Sequence, residues 1–160
     1  MAAINYNVTV QQNAESIEAL DATLRGVMGS DIAGVSVGIY GVAVHFLVAP
    51  GAGDSVATSI LNAHNSLSVS SDKSSIDADG SDTATITCND AAIAGDSDVD
   101  YTVWLDGEVY TATTSTSVSG GQAQLTLATQ DPGEYLIEIK RQGASNYESG
   151  YVRIQVQEVS

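Results

Sequence analysis

The sequence predicts two domains: a small α+β unit over residues 1–64 and an all-β sandwich over residues 65–160. Three observations predict it. Apolar spacing mixes period two with steps of three and four before residue 65, and is period two throughout after it. The acidic residues are unevenly shared: residues 1–64 hold five (Glu15, Glu18, Asp21, Asp31, Asp54), which leaves 20 − 5 = 15 for the remainder. The join, NAHNSLSVSSDKSS, is polar and serine-rich, the composition of a short connector running into a first strand.

In the first unit, Ile4, Tyr6, Val8 and Val10 alternate along one strand face. Asn13 is placed to cap a helix, because its side chain can accept from an unpaired backbone amide. Glu15 and Glu18 follow in the turns where the helix dipole favours negative charge. Ile17, Leu20, Leu24 and Val27 form one apolar stripe, and Gly29 is the expected stop. Val35, Val37 and Ile39 then alternate. Val42, Val44, Phe46 and Val48 alternate with flipped parity, which requires a hairpin turn or a bulge at Tyr40-Gly41. GDSVATSILNAHN reads as a second short helix capped by Asp54. The order is β-α-β-β-α. A unit of this size buries only about 60% of its unfolded surface. Six glycines from Gly26 to Gly51 loosen it further. It is expected to gain stability from a neighbour, whether the second domain, another copy or a larger assembly.

In the second unit, Ala84, Ile86 and Cys88 face inward while Thr83, Thr85 and Thr87 face out, the pattern of a half-buried strand. Tyr101, Val103 and Leu105 alternate next, and LDGE closes that strand with an Asp-Gly hairpin signal. EVYTATTSTSV returns. Ala123, Leu125 and Leu127 follow inward, then Tyr135, Ile137 and Ile139 after Pro132-Gly133, then Val152, Ile154 and Val156. With the strand around Leu67 and Val69 these make about seven short strands, as expected of a sandwich of immunoglobulin type.

The segment Ile76, Ala78-Asp79-Gly80 and SDTATIT, followed later by GGQAQLTLA and Gly133-Glu134-Tyr135, resembles the bacterial immunoglobulin-like domains of the invasin and intimin type. The likeness covers roughly residues 66–157. It departs from the family at CNDAAIAGDSDVDY, where an Asp-x-x-Gly-x-Pro turn is usual. The family uses this domain as a spacer, stalk or recognition module, in adhesins and in tail, fibre and capsid proteins of bacteriophages. Residues 1–64 resemble, on VAVHFLVAP and SVATSILNAHN, the short α/β modules of phage accessory proteins.

Composition narrows the partners. A formal charge of −15 repels phosphate, which argues against nucleic acid and against anionic membrane surfaces. The single cysteine, Cys88, excludes an intrachain disulfide and reads as a small buried thiol. MAAINYNVTV has no basic n-region or apolar h-region, so no secretory signal is expected. No G-x-G-x-x-G or P-loop occurs, and no cofactor is expected.

Asp77, Asp79 and Asp82 could serve calcium, but Asp79-Gly80 reads better as a turn with its carboxylate on nearby backbone. Asp96, Asp98 and Asp100 alternate, but Tyr101 and Gly107 stand where an EF-hand needs glycine and glutamate. His45 reads as a surface or intermodule residue, and His64 as the end of a helix. No metal site and no catalytic residue is expected. The aromatics are the better functional lead. Trp104, Tyr110 and Tyr147 are the candidate partner contacts, with Trp104 either packing the core or anchoring a partner.

The expected function is a non-enzymatic structural component of a bacteriophage virion, a capsid decoration or a tail or fibre accessory protein. Residues 1–64 would anchor it to other virion proteins as a homo-oligomer. The second domain would be exposed for stabilisation or for a host-surface ligand. The alternative is a cell-surface adhesin or carbohydrate-binding module from a larger secreted protein.

Overall fold

The computed structural model describes residues 4–8, 17–29, 32–38, 41–46, 56, 59–60, 63–64, 66–143 and 147–159. The chain divides into two compact units, Met1–His64 and Asn65–Ser160.

The first unit holds β1 (Ile4–Val8), α1 (Ile17–Met28), β2 (Ile32–Gly38) and β3 (Gly41–Phe46). The strands form an antiparallel sheet in the order β1-β3-β2. Gly38 pairs with Gly41, which leaves two residues between them. The parity flip is therefore a tight hairpin rather than one bulged strand. A separate irregularity falls between Ile32 and Gly34. Helix α1 lies against β2 and buries Ala19, Leu20 and Leu24 completely. The apolar stripe stops there, because Val27 is 47% exposed. Gly29 follows the helix with φ +60°, the left-handed conformation of a helix stop. The expected caps Asn13 and Asp54 lie outside the described residues. The backbone is helical at Val56, Ser59, Ile60 and Ala63, and the His64 amide donates to the Ile60 carbonyl at 2.9 Å.

The second unit holds β4 (Val69–Ser71), β5 (Ser75–Asp77), β6 (Ala84–Asn89), β7 (Asp98–Leu105), β8 (Glu108–Ser119), β9 (Gln122–Leu127), β10 (Gly133–Arg141) and β11 (Ser149–Gln157). These do not form the two separate layers of the expected immunoglobulin-like sandwich. They form one eight-stranded sheet in the order β4-β6-β9-β8-β7-β10-β11-β5. The expected fold class, an α+β module followed by such a sandwich, is corrected accordingly: the chain is mostly β, with a single continuous sheet in its second unit.

The cause lies in β8. This twelve-residue strand runs beside β7 and then gives Val118 and Ser119 to β9. Two register shifts opposite Tyr101–Trp104 put extra residues into it. Such bulges bend a strand and increase its twist, so β8 can pass from one side of the sheet to the other. The sheet curls on itself as a result. Ile86, Cys88 and Ala123 from one end share a single buried cluster with Tyr135, Ile137 and Ile154 from the other.

Two tight features lock this curl. Asp106 and Gly107 have φ values of 50° and 86°, the hairpin geometry read from LDGE. The Asp106 carboxylate accepts from the Glu134 amide at 3.0 Å, and the Asp106 amide donates to the Glu134 carbonyl at 2.9 Å. The β7–β8 turn is thereby clamped to the start of β10. Gly150 lies so close to the Leu67 carbonyl that a Cβ there would overlap it, and would stand 2.6 Å from Val69 Cγ2. No larger residue fits where β11 passes under the chain entering β4.

Candidate interaction surface

The acidic motifs that suggested metal chemistry are used in architecture. Asp79 Oδ1 accepts from the amides of Ser81 and Asp82, both at 2.7 Å. Those bonds favour its charged form and hold its carboxyl below the usual range. Asp82 accepts from Lys73 Nζ at 2.6 Å and from the Asp77 amide at 3.0 Å, which ties both ends of the β5 segment to one carboxylate. Asp96 receives a two-pronged contact from Arg141, Nε at 2.8 Å and Nη2 at 3.0 Å, and its carboxyl is held low by that guanidinium. Asp100 accepts from Gln142 Nε2 at 2.9 Å. Among the described residues, no group of three or more His, Cys, Asp and Glu stands together as a metal site.

Cys88 is fully buried, and burial pushes its thiol up to about 11, which keeps it protonated and unreactive. His64 is 8% exposed at the end of its helical turn. The side chain of His45 lies outside the described residues.

The three candidate contact aromatics are placed differently from one another. Tyr110 is 42% exposed and its ring stands edge-on to Tyr135, with centroids 5.1 Å apart. Its hydroxyl is engaged by Thr129 at 3.0 Å and by Asp131 at 3.1 Å. Tyr147 is half-buried in the approach to β11. Trp104 is 6% exposed, yet it lies outside the central cluster. Val103 and Ile137 point into that cluster, so alternation sends Trp104 and its register partner Leu136 to the opposite face.

That second face is buried where sequence alternation reads as solvent-facing. Leu136, Thr102 and Glu138 are 2, 6 and 3% exposed. Glu138 sits between Thr102 on β7 and Tyr151 on β11. Its Oε2 has no hydrogen-bond partner among the described residues. Burial pushes its carboxyl up to about 7, with Lys140 pulling the other way. Nearby, Arg153 reaches Glu134 at 2.6 Å. The sequence gives no signal for Glu138, because EYLIEIK looks like any strand with one wet face.

The remaining surface feature is a seam. β8 meets β9 through two residue pairs, Val118 with Ala123 and Ser119 with Gln122. Beyond them the strands diverge. β8 from Glu108 to Ser117 pairs with β7 alone, and β9 from Gln124 to Leu127 pairs with β6 alone. The opening is lined by Thr116, Ser117, Ser119, Gln122 and Gln124, with a volume of about 400 Å³. Thr116 Oγ1 donates to the Gln124 carbonyl at 3.3 Å near its apex. Residues 109–130 contain no charged side chain at all, within a chain of formal charge −15.

No protein-family model matches the chain, and no curated protein matches it. Among solved structures it is similar to a polysaccharide lyase, at 14% identity and a TM-score of 0.41, over 60% of this chain and 12% of the lyase. The chain thus spans a small fraction of that protein's length.

Proposed function

We propose that this chain is a non-enzymatic structural component of a bacteriophage particle, a capsid-decoration or tail accessory protein. Residues 1–64 hold it to other virion proteins, several copies associate, and the C-terminal sheet unit is the exposed part, available for stabilisation or for a host-surface ligand. The observation that carries the reading is the employment of the reactive side chains. Asp79, Asp82 and Asp96 are each committed to turns or ion pairs, and the one thiol is sealed in the core. Such a unit supplies shape, charge and edges rather than chemistry. The resemblance of the Ala78-Asp79-Gly80 and Gly133-Glu134-Tyr135 segments to domains of phage virion proteins supports the same reading. The acidic surface suits a protein that must stay soluble at high copy number before it is incorporated.

The test is mass spectrometry of purified particles from the source that encodes the chain. The reading expects the chain in fixed stoichiometry with a coat or tail protein. Its absence from washed, intact particles would overturn the reading.

A further inference from the structure

We propose that a second copy of this chain docks along the open strand edges of the β8–β9 seam, joining the two copies by main-chain hydrogen bonds. The inference deepens the proposed assembly role by naming the surface through which copies meet, and it rests on that role only for its biological setting.

Three observations converge. The first is geometric. Thr114–Ser117 follow a regular register against Asp98–Tyr101, so β8 is straight there and paired on one side. Gln124–Leu127 are likewise regular against β6 and paired on one side. Apart from the Gln124 carbonyl, which accepts from Thr116 Oγ1, each edge offers outward backbone donors and acceptors, the template for strand addition.

The second observation is chemical. Proteins guard open edges with lysine, proline or inward charge. Residues 109–130 contain none of these. They are rich in threonine, whose branched side chain favours strands. Thr113, Thr114 and Ser115 on β8, and Gln124 and Thr126 on β9, are exposed. Bulges do guard the first half of β8, opposite Tyr101–Trp104, and leave the half nearest the seam unprotected.

The third observation is electrostatic and selects the occupant. Two copies each carrying a formal charge of −15 repel one another over most of their surfaces. Beyond Glu108, the β8–β9 hairpin carries no charged side chain of its own. Asp98 and Asp100 stand one strand behind its edge, opposite Ser117 and Ser115, so two copies can approach there edge to edge with little like charge opposed. A basic partner would instead be drawn to the acidic surfaces elsewhere. A neutral, edge-to-edge contact therefore fits a second copy better than it fits a charged partner.

The experiment uses the full chain and compares it with S115K/T126K, in sedimentation over a wide concentration range. Both substitutions place a lysine on an exposed edge position. They also reduce the formal charge from −15 to −13 (15 − 2), which weakens long-range repulsion. General electrostatics thus predicts tighter association, and edge pairing predicts looser. The proposal expects the wild type to self-associate and the variant's dissociation constant to rise about tenfold or more. An association unchanged or strengthened in the variant would overturn it, as would a wild type that stays monomeric at every concentration.

Hydrogen exchange on the wild type gives a second reading that does not depend on the variant folding. Amides of residues 114–117 and 124–127 should become more protected as concentration rises. Protection that is flat with concentration would overturn the proposal. Particle residence is measured separately, so a chain found in virions but monomeric in solution would sink this inference and leave the proposed function standing.

Discussion

The two sides of the eight-stranded sheet differ in how completely they are finished. On the β7–β10–β11 side, β7 and β10 are paired along both edges, and β11 pairs with β10 along its length and with the short β5 at Gln155–Gln157. Ion pairs link Asp96 to Arg141 and Glu134 to Arg153, and both faces carry buried side chains. On the β8–β9 side the strands hold together at two residue pairs and then part, with uncharged side chains around the gap. The difference teaches where rigidity and availability lie in one sheet. Two strands paired on both edges, ion pairs and burial on both faces make the first side a scaffold, while the parted, uncharged β8–β9 edges leave the second a surface that another strand can complete.

Core truncation should expose the contrast most strongly. Ile137 is fully buried on β10, whereas Leu125 on β9 is only partly buried against the same cluster. Ile137→Ala is expected to cost about 4 kcal/mol in denaturant unfolding, and Leu125→Ala about 2 kcal/mol or less. Equal losses would erase the distinction between the two sides.

The buried carboxylate on the scaffold side gives the next effect. The Glu138 carboxyl is raised from 4.5 to about 7 by burial. An acid whose folded-state pKa is raised binds its proton more readily folded than unfolded. Its contribution is therefore harmless below about pH 4.5, and stability falls as pH rises through the window to about 7. Glu138→Gln should remove that slope and raise stability at pH 8 by up to about 3 kcal/mol. Melting curves between pH 4 and 8 check it. A wild type whose stability is flat across this window would show that the second face is wetter than described.

The smallest effect concerns the ion pairs. Asp96→Asn weakens the two-pronged contact with Arg141, whose partners are 21 and 22% exposed, and should cost about 1 kcal/mol. Because Arg141 holds the Asp96 carboxyl below its ordinary value, that contribution is present at neutral pH and is lost as pH falls through the acidic range. An identical loss at pH 2 and pH 7 would rule out the charge pair as its source.

Much of the strand pattern was legible in the sequence. The inward sets Tyr135, Ile137, Ile139 and Ile154, Val156 follow from period-two alternation, and the Asp106-Gly107 turn follows from its residue pair. Asp79 as a turn residue was legible too, because the short side chain that could bind a cation also reaches the next amides. What was not legible depends on three-dimensional continuity. Alternation says which face a residue is on, but it is silent on whether that face is covered, so it leaves Trp104 between a core position and a partner contact and gives no sign that Glu138 is buried. Strand boundaries say nothing of how one long strand bends, so β8 gave no warning that it joins both ends into one sheet. Gly150 carries no local signal either, because its constraint comes from Leu67, far away in the chain.

Sedimentation of the full chain at rising ionic strength tests the central claim most directly. If copies meet through the uncharged β8–β9 edges while the rest of their surfaces repel, shortening the Debye length from about 10 Å at 0.1 M salt to about 3 Å at 1 M should strengthen association. Association that weakens with salt, or a monomer under all conditions, would contradict the account.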